Sequence, residues 1–264
     1  MIYLNDTIIE TGRFPNGETW VNVRDVEFPY KAHNQIKVMF ESNDDLINLM
    51  FLKRHLDEQG YNARLVIEYF PYSRMDRRNE HYAFSLKYIA EFINFLNFDA
   101  VKISEPHSDV TPALLDRVKV RQYVVGQLEH LYATTDIDLL FYPDAGSVKR
   151  YTSLVGEKYC YANKERDFKT GKIIKYEIVA PNDVTPKHIL IVDDLCSRGG
   201  TFLEAGRQLK KHFGDTVKVS LLVAHVENNI FSGDLLSANS PIDHIYCSGS
   251  MVRTQKSKKI TVFN

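Results

Sequence analysis

Two adjacent carboxylates stand at the end of an apolar run in the stretch ILIVDDLCSRGGTFLEAG, residues 189 to 206. The run is typical of a buried parallel strand, so Asp193 and Asp194 are predicted at its carboxyl end, where open α/β sheets bind their ligands. The Gly-Gly-Thr that follows opens a predicted helix, and the backbone N–H groups at a helix N-terminus bind anions. The stretch therefore predicts a polyol and a phosphate bound side by side.

Three further motifs follow predicted strands or form turns, and each also has a plain structural interpretation. RFPNGET, residues 13 to 19, is typical of a tight turn. YFPYSRMDRR, residues 69 to 78, would alone be an exposed basic turn. SEPHSD, residues 104 to 109, places His107 at a strand end, where a lone histidine is more often structural than a ligand.

Two further motifs lie in the sequence between SEPHSD and the acid pair. In YPDAGSVKR, residues 142 to 150, Asp144 comes at a strand end before a glycine and two cations, which indicates a metal and phosphate site. By itself this aspartate would cap a helix. KERD, residues 164 to 167, would usually be an exposed run of charges.

Strand-like runs alternate with helical segments along the chain, which predicts parallel βαβ units. The predicted strands are 36–41, 63–70, 99–104, 139–144, 189–194 and 217–226, and the clearest helices are 46–60 and 83–98. Similar sets of elements lie on either side of residue 120, so we expect two domains, 1–120 and 121–264. The polar segment 162–188 is predicted to be irregular, in part a loop or flap over a site.

The composition is that of an ordinary globular protein: of 264 residues, 44% are hydrophobic, which is ample for a buried core. The 33 Lys and Arg residues balance 34 Asp and Glu residues, so we expect neither nucleic acid nor a membrane as a partner. Three widely spaced cysteines favour a reducing compartment without disulfides or zinc. Because no signal-peptide pattern or run of roughly 18 apolar residues is present, we expect a cytoplasmic protein.

Together and in this order, the motifs resemble those of the ribose-phosphate diphosphokinases, also called phosphoribosyl diphosphate synthetases. RFPNGE is similar to the family's phenylalanine-acid-Gly-Glu loop, PYSRMDRR to its Tyr-x-Arg-Gln-Asp-Arg segment, and YPDAGSVKR to its Pro-Asp-x-Gly-Gly-x-x-Arg segment. EPHS matches the strand-end histidine, NKERD a flap with a Lys-x-Arg pair, and IVDDLCSRGGT the ribose-phosphate loop shared with type I phosphoribosyltransferases. The resemblance implies an α/β protein of two stacked type I phosphoribosyltransferase-like domains. Each would have a mainly parallel sheet flanked by helices, with the active site in the cleft between them.

The resemblance also implies a reaction, which is transfer of the β,γ-diphosphate of ATP to the anomeric hydroxyl of a ribose 5-phosphate-type acceptor, with release of AMP. Lys164 and Arg166 would be catalytic on a closing flap, and His107 and Asp144 would hold Mg²⁺. The residues implied to bind ATP are Phe14, Asn16, Glu18, Arg74, Asp76, Arg77 and His107. The residues implied to bind the ribose phosphate are Asp193, Asp194, Ser197, Arg198, Gly199, Gly200 and Thr201. Because the RFPNGE loop serves the ATP of a neighbouring subunit in the family, a homo-oligomer, at least a dimer, is implied as well.

Some positions depart from the family pattern. Asn16 stands where the family usually has Asp, Met75 where it has Gln, and Ser147 where it has a second Gly. Ser197 and Arg198 replace an Asp-Thr pair at the phosphate end of the sugar site. A guanidinium there could bind a second phosphate, so the acceptor is expected to be either ribose 5-phosphate or a 5-extended relative such as ADP-ribose. With plain ribose 5-phosphate, Arg198 would point to solvent or pair with a local acid.

Two other functions are alternatives. A phosphoribosyltransferase would share the 189–201 loop and consume a diphosphate sugar, but it would have no use for RFPNGE, PYSRMDRR and KERD together. A catalytically silent homologue would bind and regulate an active subunit. The presence of both proposed metal ligands and of the Lys-x-Arg pair argues against that second alternative.

Overall fold

The computed structural model describes residues 1–24, 34–155, 158–166, 173–182, 184–254 and 256–263. The chain forms two compact units, Met1–Gln122 and Tyr123–Asn264, and each unit is built around its own large sheet. None of the helices in the described ranges combines the length and the apolar character needed to cross a lipid bilayer.

The first unit contains eight strands and three α-helices in its described residues. The strands are β1 (Ile2–Leu4), β2 (Thr7–Ile8), β3 (Thr11–Arg13), β4 (Thr19–Val21), β5 (Asn34–Val38), β6 (Ala63–Ile67), β7 (Val101–Ser104) and β8 (Val118–Arg121). The helices are α1 (Asp44–Glu58), α2 (Ser85–Phe95) and α3 (Val110–Leu114). Six strands form a sheet in the order β2-β1-β5-β6-β7-β8, in which β5 to β8 are parallel, while β3 and β4 form a separate antiparallel ribbon.

Helical crossovers align the strands of this sheet. Leu49, Leu52 and Leu56 recur at helical spacing along α1 and join the same buried cluster as Ile36 and Val38 of β5. Helices α1, α2 and α3 each connect one parallel strand to its neighbour, so the carboxyl ends of β5, β6 and β7 lie at one edge of the sheet. The loops that leave this edge carry two of the motifs found in the sequence.

The second unit contains seven strands and three α-helices in its described residues. The strands are β9 (Leu139–Tyr142), β10 (Tyr159–Arg166), β11 (Ile173–Val179), β12 (His188–Cys196), β13 (Lys218–Val226), β14 (His244–Ser248) and β15 (Ile260–Phe263). The α-helices are α4 (Tyr123–Thr134), α5 (Ala145–Val155) and α6 (Gly200–Phe213), and two 3₁₀-helices follow β13 at Asn228–Ser232 and Asp234–Leu236. The strand order is β11-β10-β9-β12-β13-β14-β15, and β11 is the antiparallel strand.

This second sheet is covered on both faces, as the continuous apolar runs predict. On one face, Ile189 and Ile191 of β12 join a buried cluster that includes residues of α6. On the other face, Leu190 and Val192 join a cluster with α4 and with Tyr151 of α5. Successive residues of β12 alternate between the two faces of the sheet. Because both faces are buried, the run ILIV is apolar throughout.

The chain changes direction within the sheet between β9 and β12. From β9 it crosses through α5 to β10 on one side, whereas from β12 it crosses through α6 to β13 on the other side. Such a topological switch point leaves a crevice at the carboxyl ends of the two strands, which is where open α/β sheets bind ligands.

The polar segment 162–188 differs from its prediction, because much of it is a β-hairpin and not an irregular loop. Strand β10 continues to Arg166 and pairs antiparallel with β11, with Lys164 opposite Tyr176. Tyr176, Ile178 and the buried Ala162 pack against the core cluster on the α6 side. Their alternation with lysine and glutamate gives one apolar face, which the high lysine content obscured in the sequence. The tip, residues 167–172, lies outside the described residues.

Candidate functional site

The acid pair lies at the carboxyl end of β12, beside β9. The backbone N–H of Asp194 donates to Asp193 Oδ1 over 2.9 Å. Arg150 Nη1, from α5, lies 3.6 Å from Asp194 Oδ2. Burial, followed by the charges of Asp194 and Asp144, raises the pKa of Asp193 well above its ordinary value. This edge of the sheet therefore concentrates negative charge, which a cation or the hydroxyl groups of a sugar would stabilise.

The loop after the acid pair ends in the N-terminus of α6. Gly199 has a φ of +85°, and an added Cβ would approach Leu235 Cδ2 to 2.6 Å, so both the backbone and the space require glycine. The backbone N–H groups of Gly200 and Thr201 donate no hydrogen bond within the described part of the chain. These groups are available to an anion at the positive end of the helix dipole.

Ser197 and Arg198 complete this loop and differ in their surroundings. Ser197 Oγ accepts a hydrogen bond of 2.8 Å from Asn229 Nδ2, which belongs to the first 3₁₀-helix. Arg198 is exposed and forms no ion pair with any acid among the described residues. The preceding Cys196 is buried, and burial raises the pKa of its thiol, so this sulfur does not supply a nucleophile.

Asp144 follows β9 and faces the same edge of the sheet as the acid pair. Its Oδ1 accepts from both the backbone N–H and the hydroxyl of the buried Ser147, each over 2.9 Å. Asp144 therefore caps the N-terminus of α5, as one interpretation of the sequence predicted. The cap fixes its carboxylate at the start of the helix. The other carboxylate oxygen accepts no hydrogen bond from the described residues, so Asp144 keeps one oxygen for a ligand while it caps the helix.

The first unit brings two other motifs together at the carboxyl ends of β6 and β7. Ser108 Oγ donates to Asp76 Oδ2 over 2.8 Å, and Arg77 Nε donates to Asp76 Oδ1 over 2.9 Å. The hydrogen bond from Arg77, together with that from Ser108, lowers the pKa of Asp76. The half-buried His107 is the neighbour of Ser108, and the exposed Arg74 lies in the same loop as Asp76. Asp76 therefore joins the predicted ATP-binding segment to the loop of the predicted metal ligand.

Two residues in these loops hold left-handed backbone conformations, although neither is glycine. Tyr72, after β6, has a φ of +63°, and its hydroxyl donates to Asn43 Oδ1 over 2.5 Å. The buried Glu105, after β7, has a φ of +39°. Strained conformations of this kind cluster at functional sites, where the surrounding structure stabilises them. Sequence reasoning did not find them, since tyrosine and glutamate give no signal of a left-handed conformation.

The RFPNGE motif forms the tight turn between β3 and β4. The N–H of Phe14 donates to the carbonyl of Glu18 over 2.7 Å, and Asn16 Nδ2 donates to Glu18 Oε2 over 2.7 Å. Gly17, at a φ of +94°, closes the turn. The Phe14 side chain is 52% exposed at the tip of the ribbon. The turn therefore presents an aromatic ring to its surroundings.

The predicted catalytic pair lies on the β10–β11 hairpin. Lys164 Nζ lies 5.1 Å from the centroid of the Tyr176 ring on the opposite strand, a cation–π contact. Burial, followed by the charges of Glu204 and Asp144, raises the pKa of the Tyr176 hydroxyl. Arg166 is the last residue of β10, and its side chain lies outside the described residues.

Two groups at the second-unit site were not found as site residues from the sequence. Arg150 pairs with Asp194 across a sequence separation of 44, and Asn229 reaches Ser197 across a separation of 32. Arg150 ends the motif YPDAGSVKR, six residues after Asp144, but nothing in that motif indicated Asp194 as its partner. Only the packing of α5 and of the 3₁₀-helix beside β12 brings these side chains to the loop.

No group of three or more His, Cys, Asp or Glu side chains in the described ranges is arranged to hold a metal ion. Of the two predicted ligands, His107 belongs to the first unit and Asp144 to the second.

The amino-acid sequence is similar to those of several known proteins. No family model matches the chain. The ribose-phosphate pyrophosphokinase of Sulfurisphaera tokodaii is 26% identical over 215 residues, which cover 77% of this chain and 72% of that protein. Ribose-phosphate pyrophosphokinase 2 of Archaeoglobus fulgidus is 31% identical over 207 residues, which cover 75% of this chain and 68% of that protein. The chain belongs to the ribose-phosphate pyrophosphokinase family.

The fold of this family member agrees with that assignment. The crystal structure of phosphoribosylpyrophosphate synthetase from Mycobacterium smegmatis matches with a TM-score of 0.73 at 19% identity, over 97% of this chain and 85% of that one. The family and the α/β fold predicted from the motifs are both confirmed, and the chain is an enzyme of the diphosphokinase type. The likeness in fold does not by itself assign a role to any one residue.

Proposed function

We propose that this enzyme transfers the β,γ-diphosphate of ATP to the anomeric hydroxyl of a ribose 5-phosphate-type acceptor and releases AMP. One observation carries the proposal within this family. Asp193 and Asp194 lie beside two unbonded N–H groups, those of Gly200 and Thr201, at the topological switch point of the second sheet. Such a site can hold the hydroxyls and the phosphate of one sugar phosphate.

In the proposed step, the anomeric oxygen forms a bond to Pβ of ATP, and the bond from Pβ to the oxygen that bridges to the α-phosphate breaks. AMP leaves with that oxygen and its electron pair, and the proton of the anomeric hydroxyl passes to water. Asp193 and Asp194 would accept hydrogen bonds from the 2- and 3-hydroxyls and so orient the anomeric oxygen for in-line attack. Arg150 would hold the Asp194 carboxylate in position, since the two groups lie 3.6 Å apart.

Mg²⁺ would be held mainly by ATP oxygens and water, with few protein ligands. The donor set fits this, because one Asp144 oxygen accepts no hydrogen bond from the described residues. Burial and then the charges of Asp194 and Asp144 raise the pKa of Asp193, and a cation would offset that concentration of negative charge. We assign His107 and Asp144 as its proposed protein contacts. When bound, the ion would neutralise charge on the transferred diphosphate.

The two units would divide the substrates between them. Residues of the first unit would bind ATP, among them Asp76, Arg77 and His107, and the second unit would supply the ribose-phosphate loop and the β10–β11 hairpin. Lys164 and Arg166 would contact the diphosphate from β10 of that hairpin and stabilise the charge that develops on it. Phe14 is proposed to contact the adenine of a neighbouring subunit, which is supported by its exposed ring. Sedimentation velocity would test this proposal, and a fully active monomer would contradict it.

The acceptor is proposed to be extended at the 5-position, with ADP-ribose as the candidate. Arg198 is exposed beside the α6 N-terminus and forms no ion pair in the described part of the chain, so its guanidinium is available to a second phosphate. Plain ribose 5-phosphate would use the N–H groups alone.

The deciding experiment incubates the protein with Mg-ATP and either ribose 5-phosphate or ADP-ribose, and separates AMP from ADP. We expect AMP formation that depends on the sugar, with a higher kcat/KM for ADP-ribose. Arg198→Thr should lower kcat/KM for ADP-ribose by about tenfold or more and change that for ribose 5-phosphate little, because a charge-assisted phosphate contact is lost. Lys256→Thr, which changes an exposed cation outside the loop, is the matched control.

Each other outcome is informative. If no sugar supports AMP formation, the proposed function is wrong, and diphosphate release from a diphosphate sugar with a base would indicate the phosphoribosyltransferase alternative. If wild type strongly prefers ribose 5-phosphate and Arg198→Thr behaves alike, the extended acceptor is excluded.

A further inference from the structure

A hydrogen-bonded side chain beneath the phosphate loop determines which way one of its hydroxyl groups points. Asn229 Nδ2 donates to Ser197 Oγ over 2.8 Å and to Glu227 Oε2 over 3.2 Å. The carboxylate of Glu227 accepts, so the group that faces it must be the NH₂ of the Asn229 amide and not its carbonyl oxygen. The orientation of the amide is therefore fixed by Glu227.

This orientation decides the role of the serine hydroxyl. Because Asn229 donates to Ser197 Oγ, the serine oxygen is the acceptor in that bond and its own hydrogen must point elsewhere. Ser197 donates this hydrogen to no described group. Ser197 comes three residues before Gly200 in the sequence. The N–H groups that donate no hydrogen bond to described residues begin at Gly200. The Ser197 hydroxyl hydrogen is thus available to an anion bound at the helix N-terminus.

The segment that carries Asn229 is held tightly against the same loop. An added Cβ on Gly233 would approach the carbonyl oxygen of Arg198 to 2.6 Å, and one on Gly199 would approach Leu235 Cδ2 to 2.6 Å. The N–H of Glu227 also donates to the carbonyl of Cys196 over 2.8 Å. The two 3₁₀-helices therefore support the loop along its length, and Asn229 is fixed relative to it.

The carbonyl oxygen of Asn229 is buried and has no hydrogen-bond partner among the described residues. A buried acceptor without a donor costs stability unless a water molecule reaches it. A purely structural role would be served better by a side chain with all its polar atoms satisfied.

We propose that Asn229 is a positioning residue for the phosphate loop, which commits the Ser197 hydroxyl to donate to a bound phosphate group. The inference rests on the proposed function only for the identity of that phosphate as part of the sugar substrate. Asn229 contacts no reacting atom and acts through Ser197.

The test is a double-mutant cycle with Asn229→Leu and Ser197→Ala, where leucine keeps the size of asparagine and removes its hydrogen bonds without adding charge. Binding of inorganic phosphate is followed through the amide signals of Gly199, Gly200 and Thr201 in ¹⁵N–¹H spectra, and KM and kcat are measured for the sugar substrate. Each single variant should raise the phosphate Kd and the KM for the sugar by about tenfold to a hundredfold, as expected for one lost hydrogen bond to a charged group, with kcat nearly unchanged. The double variant should be no weaker than either single variant, since the two residues act as one unit.

Asn228→Ala is the matched control, because this exposed neighbour lies in the same 3₁₀-helix and makes no contact with Ser197. If Asn229→Leu does not fold, Asn229→Ala replaces it in the cycle. An unchanged phosphate Kd in the Asn229 variant, or fully additive losses in the double variant, would overturn the positioning role. Phosphate binding without any AMP formation would instead reject the proposed function and leave the role of Asn229 intact. If neither phosphate nor the sugar shifts the loop amide signals of the wild-type protein, the loop does not bind anions.

Discussion

The Asp193 carboxyl stands in an environment that is unfavourable for its own ionisation. Burial comes first among the causes of its raised pKa, followed by the neighbouring charges of Asp194 and Asp144. The folded state therefore keeps a proton at pH values where the same carboxyl in the unfolded chain, with an ordinary pKa near 3.8, has released it. The folded state binds more protons than the unfolded state above that pH, so stability falls as pH rises through this window.

Asp193→Asn should consequently stabilise the protein at neutral pH while it removes activity. We expect the Tm at pH 8 to rise by about 2–4 °C for each 1 kcal/mol recovered, and the gain over wild type to shrink towards pH 4. AMP formation should fall by at least about 100-fold, because a contact that orients the sugar is weakened. Thermal unfolding at both pH values measures the first effect, and Asp215→Asn, which changes an exposed carboxylate after α6, is the control. A Tm that falls equally at both pH values would contradict the electrostatic account.

The β10–β11 hairpin is the element in which sequence and structure differ most. Its strands alternate apolar and charged residues, and Tyr176 and Ile178 pack on the core while Lys164 lies across the Tyr176 ring. The lysine-rich composition favoured an irregular segment, but cross-strand pairing on one apolar face outweighs composition in deciding the structure. A catalytic role for Lys164 therefore requires it to act from a strand.

Lys164→Ala tests that role. We expect kcat for AMP formation to fall by about 100-fold or more while the Kd of ATP changes less than about threefold, because a contact made only in the transition state affects kcat. Isothermal titration with ATP and single-turnover AMP formation separate the two quantities. Lys175→Ala is the control, since Lys175 is an exposed cation on β11 that pairs with Glu177 over 3.1 Å. Turnover at the wild-type rate in the Lys164 variant would remove the hairpin from the mechanism.

Across the whole chain, the sequence predicted those features that depend on local patterns. Apolar runs such as ILIV predicted the parallel strands, and the acid pair with its glycines predicted the carboxyl-end loop. Features that depend on distant partners could not be predicted. Short strands such as Ile2–Leu4 owe their conformation to their neighbours in the sheet, and Asn229 meets Ser197 only after β13 and the first 3₁₀-helix have packed.

The same dependence on packing gives the two units different responses to acid. In the second unit, His188 is buried between the carbonyl of Asp136 and the hydroxyl of Ser220, each 2.9 Å from a ring nitrogen. Burial lowers its pKa, and burial lowers that of His244 in the same unit as well. In the first unit, Asp76 has a lowered pKa through its hydrogen bond with Arg77 and contributes stability that is lost only at pH values below its ordinary 3.8.

Acidification from pH 7 to pH 5 should therefore destabilise the second unit before the first when Asp193, whose raised pKa acts in the opposite direction, is replaced by Asn in all the proteins compared. Below the ordinary histidine pKa of 6.5, the unfolded chain binds a proton that folded His188 does not, so stability is lost as pH falls through the window below 6.5. Each such proton changes the free energy of unfolding by up to about 1.4 kcal/mol per pH unit. Hydrogen exchange by mass spectrometry should show faster exchange at pH 5, after correction for intrinsic rates, in peptides from β12 and β13 and not in those from β5 and β6.

His188→Gln should reduce this pH dependence even if it lowers stability overall, whereas His212→Gln, at an exposed position on α6, should leave it unchanged. Equal pH dependence in the His188 variant and wild type would show that the acid sensitivity of the second unit arises elsewhere.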